Sequence, residues 1–258
     1  MVYNKCKNDL ILKYYLDNKD VFDRIASKIP AGKSPLKKLQ SVDAVSSVWK
    51  ELGEFDLTNN IPNNTPKTDI ISENSVIKIS VKKAKGAQLM SGGYNETLAT
   101  IKSAMLICGY SINDIEQHPL ILNIKKEKDS WQPIKIINGI RHLKSNSEKE
   151  LTPEDLNVKK TIINGAENNK LVKKLINELP EDIKIEILKE AITGECKFGT
   201  DSKSSANSIL IWDENDPEKS LFVTPHEYLK IILNEGYIFN LTYKSANERS
   251  WRAMRIIV

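Results

Sequence analysis

The sequence predicts a mixed α/β fold, and three observations carry the prediction. Two short runs, Thr68–Ser72 and Val76–Lys82, read as strands around a polar tip at Glu73-Asn74. In the second run Ile77, Ile79 and Val81 alternate with Val76, Lys78, Ser80 and Lys82, the period of a strand with two unlike faces. Downstream, Leu98, Ile101 and Met105 recur at helical spacing between about Asn95 and Cys108. Helix, strand, strand, helix and strand in succession over residues 41–126 imply a mixed central sheet flanked by helices, followed by a mixed α/β C-terminal region.

Residues 8–28 open the chain as an amphipathic helix, with Leu10, Ile11, Tyr14, Val21, Phe22 and Ile25 near helical spacing. Pro30-Ala-Gly-Lys-Ser-Pro35 ends it. Its Gly32-Lys33-Ser34 lacks the upstream glycine of a phosphate-binding loop and is flanked by prolines, so a nucleotide loop is set aside. Ser41–Leu52 reads as a second helix presenting Val42, Val45, Val48 and Trp49 on one face, and Asn59–Pro66 is a turn-rich connector. After the strand pair comes a basic loop, Lys83–Gly93, and then the helix that Asn95 should cap, which puts Glu96 in its first turn. His118–Lys126 is expected as a further strand and Trp131–Ile140 as another, with Ser145–Asn157 a polar link. Lys170–Glu178 and Glu181–Thr193 are helices separated by Pro180; Ser208–Trp212, Tyr237–Tyr243 and Arg252–Val258 are strands, with a helix near Pro225–Leu233. Phe239–Ser245 shares the strand-into-lysine shape of Ile77–Lys83, but no internal repeat emerges. The natural division is 1–127, the N-terminal helices and core, and 128–258, packed either separately or with the core as one domain.

Composition narrows the function classes. The chain has 258 residues, 40% hydrophobic and 28% charged, which suits a folded protein able to bury a core and not a disordered one. Cys6, Cys108 and Cys196 are far apart with no CxxC spacing, against a disulfide framework or a zinc site and for a reducing compartment. Cys108 is expected in the core, and His118, His142 and His226, with no ligand spacing, are expected to be structural. No stretch approaches the roughly 20 apolar residues of a membrane span and no signal-peptide core is evident, so a soluble, cytoplasmic protein is expected. The Lys- and Asn-rich composition hints at an AT-rich bacterial or viral genome. Net charge is only +4, but lysines cluster at Lys78, Lys82, Lys83 and Lys85 and again at Lys125, Lys126 and Lys128, which suits a polyanionic partner as well as a solvated face.

Chemistry concentrates between Asp69 and Glu96. An Asp on one strand, a Lys on the next and a carboxylate in the first turn of the following helix can hold a divalent ion and polarise water, as a phosphodiesterase requires. Asp69, Ser80-Val81-Lys82 and Glu96 resemble the PD-(D/E)xK nuclease superfamily, whose fold many restriction endonucleases share. The usual strand carries an acid two residues before the lysine. Here that place is Ser80, which resembles the branch with Ser-x-Lys on the strand and a carboxylate that has migrated to the helix. Pro66 lies three residues before Asp69, so the Pro-Asp part of the motif is loosely met, and the resemblance spans about residues 41–126.

The resemblance implies a restriction-endonuclease-like core and a Mg²⁺-dependent DNA endonuclease. Asp69 and Glu96 would be metal ligands with the Val81 carbonyl completing the shell, hard oxygen donors that suit Mg²⁺ or Mn²⁺. Lys82 would orient the attacking water or stabilise charge on the phosphate. Taken one at a time these residues have plainer readings: Asp69 as a strand-end turn acceptor, Lys82 as an exposed strand residue, Glu96 as a first-turn acid matching the helix dipole. Lys83, Lys85 and Gln88 in the glycine-containing loop, with Lys244, Arg249 and Arg252 near the C-terminus, are the candidate DNA contacts. Glu51, Glu54 and Glu195 are further acids that could join the site. The C-terminal half is expected to supply substrate binding or an oligomer contact, with a homodimer as the candidate assembly. The rival readings are a catalytically idle DNA-binding or structural protein on the same fold, and an enzyme acting on RNA or branched DNA.

Overall fold

The computed structural model describes residues 36–58, 62–126, 134–135, 152–153, 156, 170–213, 216, 219–246 and 249–258. The helix expected over 8–28, the Pro30–Pro35 segment, Lys128, His142 and most of the Trp131–Asn157 region lie outside the described residues.

In chain order the elements are β1 (Leu36–Lys38), α1 (Ser47–Leu52), β2 (Ile70–Ser72), β3 (Lys78–Lys83), β4 (Gln88–Gly92), α2 (Tyr94–Ile107), α3 (Ile112–Gln117), α4 (Pro119–Lys126) and β5 (Ile134–Lys135). There follow α5, helical over 170–177, then α6 (Glu181–Thr193), α7 (Glu195–Phe198), β6 (Ser208–Trp212), β7 (Leu221–Val223), α8 (Pro225–Glu235), β8 (Ile238–Ala246) and β9 (Arg249–Ile257).

The central sheet is mixed, in the order β1-β2-β3-β6-β7. β2 and β3 form the expected antiparallel hairpin, Ile70 opposite Ile79 and Ile71 opposite Lys78, with Ser75 at φ 59° in its turn. β3 then runs parallel to β6 from Ile79 beside Ser208 to Lys83 beside Trp212. That pairing puts strands from either side of residue 127 next to each other in one sheet. A second sheet gathers β4, β5 and β8 around β9. α2 packs against the second sheet through β4 and β9 and against α1 and α6.

α2 is buried on nearly every side, from Tyr94 through Met105 apart from Glu96. A helix enclosed in this way needs no polar stripe, which is why Thr97, Thr100 and Ser103 sit inside it; Thr100 and Ser103 return their hydroxyls to backbone carbonyls one turn back. The main core joins Leu98, Ile101 and Met105 of α2 to Ile187 and Leu188 of α6, Ile209 of β6 and Ile256 of β9. A smaller cluster of Val45, Trp49, Ala99 and Phe198 seats α1 against α2 and α7.

Several expected elements are corrected. His118–Lys126 is a helix, not a strand: Pro119 occupies its first position, and Leu120, Ile121 and Ile124 bury one helical face. His118 stands at its start, its Nδ1 accepting from the Leu120 N–H at 3.2 Å. The loop Lys83–Gly93 contains a strand, β4, paired antiparallel to β9 at the far end of the chain, a partner invisible locally. The helix within Ser41–Leu52 begins only at Ser47, capped by Ser46; Val45 and Trp49 are buried, while Val42 and Val48 are exposed. Gly93, not Asn95, caps α2, and Cys108 is its half-buried C-cap, packed against the edge of the main core.

Candidate active site

β2 begins at Ile70, but the residue before it already holds β3. The Asp69 N–H donates to the Ile79 carbonyl at 2.7 Å, and one residue pair further on the Asp69 carboxylate takes the strand's place, its Oδ2 accepting from the Val81 N–H at 2.8 Å. Asp69 is thus fixed at the end of the hairpin with Oδ1 turned to no partner among the described residues. Two residues from Val81's neighbour Ser80, Lys82 leaves the same strand into a cleft. Burial pushes the Lys82 ammonium pKa down, and the Asp69 carboxylate opposes it.

Glu96 enters the same cleft from the first turn of α2. A Cβ on Gly92, at the end of β4, would lie 3.1 Å from the Glu96 Cβ, so the bare glycine is what lets β4 run directly into the helix. Asn95 secures that turn from the other side, its Nδ2 donating to the Gly53 and Glu54 carbonyls at 2.7 and 2.9 Å. Asp69, Lys82 and Glu96 all line one cleft of about 330 Å³, and Gln88 borders it.

Three further charged residues share the cleft, Lys67, Glu190 and Lys197; the sequence pointed to Lys197 only as the lysine of the Thr193–Gly199 run, and to the other two not at all. Lys197, buried on α7, pairs with Glu96 Oε1 at 2.9 Å and stands 5.2 Å from the centre of the Trp49 ring. Glu190, buried on α6, accepts the Cys196 and Lys197 N–H groups at 2.7 and 3.1 Å; burial raises its pKa against those bonds. Lys67 threads its stem over Gly194, the left-handed C-cap of α6, where a Cβ would meet the Lys67 Cγ at 2.7 Å. Its Nζ donates to the Leu89 carbonyl at 2.9 Å, and burial, then the neighbouring Lys82 charge, push its pKa down. Lysine and glutamate are too common along this chain for these positions to stand out; only their convergence in space marks them, Lys197 meeting Glu96 from 101 residues away.

Other sequence candidates fall elsewhere. Ser80 is fully buried and its hydroxyl has no partner. Glu54 is committed to Lys102 at 3.0 Å and Lys125 at 2.6 Å, while Glu51 and Glu195 are exposed and do not line the cleft. The two lysine clusters are not uniform basic faces. Lys78 is buried, donating to the Thr200 and Ser202 carbonyls, and Lys125 is paired with Glu54 and Glu116. Lys83 and Lys85 are exposed. Lys244, Arg249 and Arg252 belong to the β8–β9 hairpin, opposite Trp251, Ala246 and Tyr243 respectively. His226 is exposed on the first turn of α8.

Among the described residues no three His, Cys, Asp or Glu side chains form a cage for a metal ion, and no helix is long and apolar enough to cross a membrane. No protein-family model matches the chain, and no curated protein matches it. Among solved structures the chain is similar to restriction endonuclease MspI in complex with its cognate DNA, at 14% identity over 96% of this chain and 82% of that one, with a TM-score of 0.42.

Proposed function

We propose that this chain is a metal-dependent DNA endonuclease of the restriction-endonuclease-like kind, with its active site in the cleft between β2, β3 and α2. One observation carries the reading: Asp69, Lys82 and Glu96, drawn from three elements, line a single cleft. The donor set suits Mg²⁺ or Mn²⁺. Asp69 Oδ1 and Glu96 Oε2 are uncommitted among the described residues, and Mg²⁺ is commonly held by one or two carboxylates with the remaining positions filled by water and substrate phosphate. Asp69 and Glu96 would hold the ion, with the Val81 carbonyl as a third oxygen. When bound, the ion would lower the pKa of water and offset charge on the phosphate.

The chain's own residues do the rest. The Val81 N–H fixes the Asp69 carboxylate and Lys197 fixes Glu96, so neither acid has to be ordered when substrate arrives. Lys82, half-sheltered from water, offers an ammonium donor to a phosphate oxygen, where a desolvated charge acts more strongly than at the surface. Lys83, Lys85 and Gln88 follow at the rim as contacts to the DNA backbone and bases.

The test is plasmid DNA incubated in Mg²⁺ and in EDTA. Cleavage should require the ion. Lys82→Ala should reduce it by about 10²–10³-fold with a modest change in DNA affinity, since that group acts mainly in the transition state. Glu96→Ala should also abolish cleavage, with partial recovery in Mn²⁺. If both variants cut at the wild-type rate the site is wrong, and an idle DNA-binding protein on this fold becomes the better reading. Lys83→Ala with Lys85→Ala should weaken DNA binding and flatten the dependence of log affinity on log salt, because fewer counterions are released; an unchanged slope would make that pair a solvated face.

A further inference from the structure

The charges that line the cleft are not evenly satisfied. Lys197 is paired with Glu96, and Glu190 is occupied by two backbone N–H groups. Asp69 keeps one oxygen on Val81. Lys82 makes no hydrogen bond or ion pair among the described residues, and Lys67 makes one bond, to the Leu89 carbonyl, out of the three its ammonium can donate. Two ammonium groups with spare donors therefore face one cleft, which Asp69, Glu96 and Glu190 also line. An anion with several acceptor oxygens could take up those spare donors. Lys67 is also held in position: its stem crosses Gly194, where any side chain would collide with it, and its single bond ties the ammonium to the carbonyl of Leu89, which also lines the cleft.

We propose that Lys67 is a second phosphate-binding lysine, donating to a backbone phosphate of the nucleic acid held between it and Lys82. The proposal rests on the cleft being a nucleic-acid site. A phosphate presents several acceptor oxygens, enough to take one ammonium from each side. Lys67 precedes β2 by three residues, its N–H donating to the Ser204 carbonyl at 2.9 Å, and Lys82 stands on β3, the partner strand of β2. The substrate's phosphate would take up donors that the protein leaves unused, and part of the binding affinity would come from those bonds.

The experiment compares wild type with Lys67→Gln, which keeps a donor for the Leu89 carbonyl without the charge, and Lys67→Arg, which keeps the charge. Affinity for a short random-sequence DNA duplex is measured in EDTA across a salt series, with thermal unfolding of each protein alongside. Lys67→Gln should weaken binding about tenfold and lower the salt slope by about one, and Lys67→Arg should restore most of both. A slope unchanged in Lys67→Gln would leave Lys67 as a tether for β4 and overturn the proposal. Should Lys67→Gln not fold, amine labelling of the wild-type protein decides: the duplex should protect Lys67, and equal labelling with and without DNA overturns the assignment. Cleavage in Mg²⁺ is scored separately. A lowered slope in a protein that never cuts removes the nuclease reading and keeps Lys67; normal cutting with an unchanged slope removes Lys67 alone. A wild-type protein that binds no duplex overturns both.

Discussion

At Gly92 a single carbon governs where Glu96 can sit. A Cβ there would come within 2.4 Å of the Met90 Cε and 3.1 Å of the Glu96 Cβ. The methionine end can swing away, but Glu96 is built into the first turn of α2 and can yield only if the helix does. Gly92→Ala is expected to cost about 1–3 kcal/mol of stability by overpacking and to reduce cleavage further than the lost folded fraction explains. Thermal unfolding and plasmid cleavage, both at a temperature where the variant is folded, separate the two; wild-type cleavage by the folded variant would mean that Glu96 tolerates displacement. Ser80 supplies the complementary constraint. Its hydroxyl is enclosed without a partner, so a carboxylate at that position would be buried at a cost of several kcal/mol. Ser80→Glu should therefore destabilise the protein rather than rescue a Glu96→Ala variant.

Elements were legible where their pattern was local. α6, β6 and the β2–β3 hairpin follow from spacing, turn residues and Pro180. α4 was misread because its apolar run is short, and length alone does not separate a buried strand from one helical face. β4 was missed because a strand of five residues draws its identity from its partner β9. Between α1, α2, α3 and α4 lies a four-membered ion-pair network: Lys102, almost wholly buried, meets Glu54 and Glu116 at 3.0 and 2.6 Å, and Lys125 meets both acids at 2.6 Å. Burial pushes the two carboxyls up, but the lysine hydrogen bonds outweigh it and hold both below their ordinary 4.5. A carboxyl depressed by folding stabilises above its unfolded pKa and loses that contribution as pH falls through the folded one. Stability measured by denaturant should therefore decline below about pH 4.5, and Glu54→Gln with Glu116→Gln should flatten that decline. An identical acid limb in the double variant would show that the network does not couple to folding.

Across the whole molecule, the cleft depends on both halves of the chain. β3 carries Lys82 and is flanked by β2 on one side and β6 on the other. α2 carries Glu96 and rests on α6, which brings Glu190, while α7 brings Lys197. A fragment of residues 1–127 lacks β6, α6 and β9. It should fail to show cooperative unfolding by circular dichroism, because β3 would become an edge and α2 would expose the face that meets Ile187 and Leu188. A sharp transition in that fragment would establish the first half as a unit that folds alone.

Asp69, Lys82 and Glu96 could be picked out from the sequence because residue type, strand alternation and a fourteen-residue interval from Lys82 to Glu96 are local properties. The mixed α/β class was equally legible, since alternation at period two and recurrence near 3.6 are written within single elements. Lys67 and Glu190 were not, nor was the pairing of Lys197 with Glu96, 101 residues away, nor β4, which depends on β9, because it is the tertiary fold that brings them together. The sequence by itself determined which charged and polar residue types the hairpin and its helix present. The tertiary structure decided which charges surround that chemistry and which of them are left unpaired, because pairing depends on distance in space, not on separation along the chain.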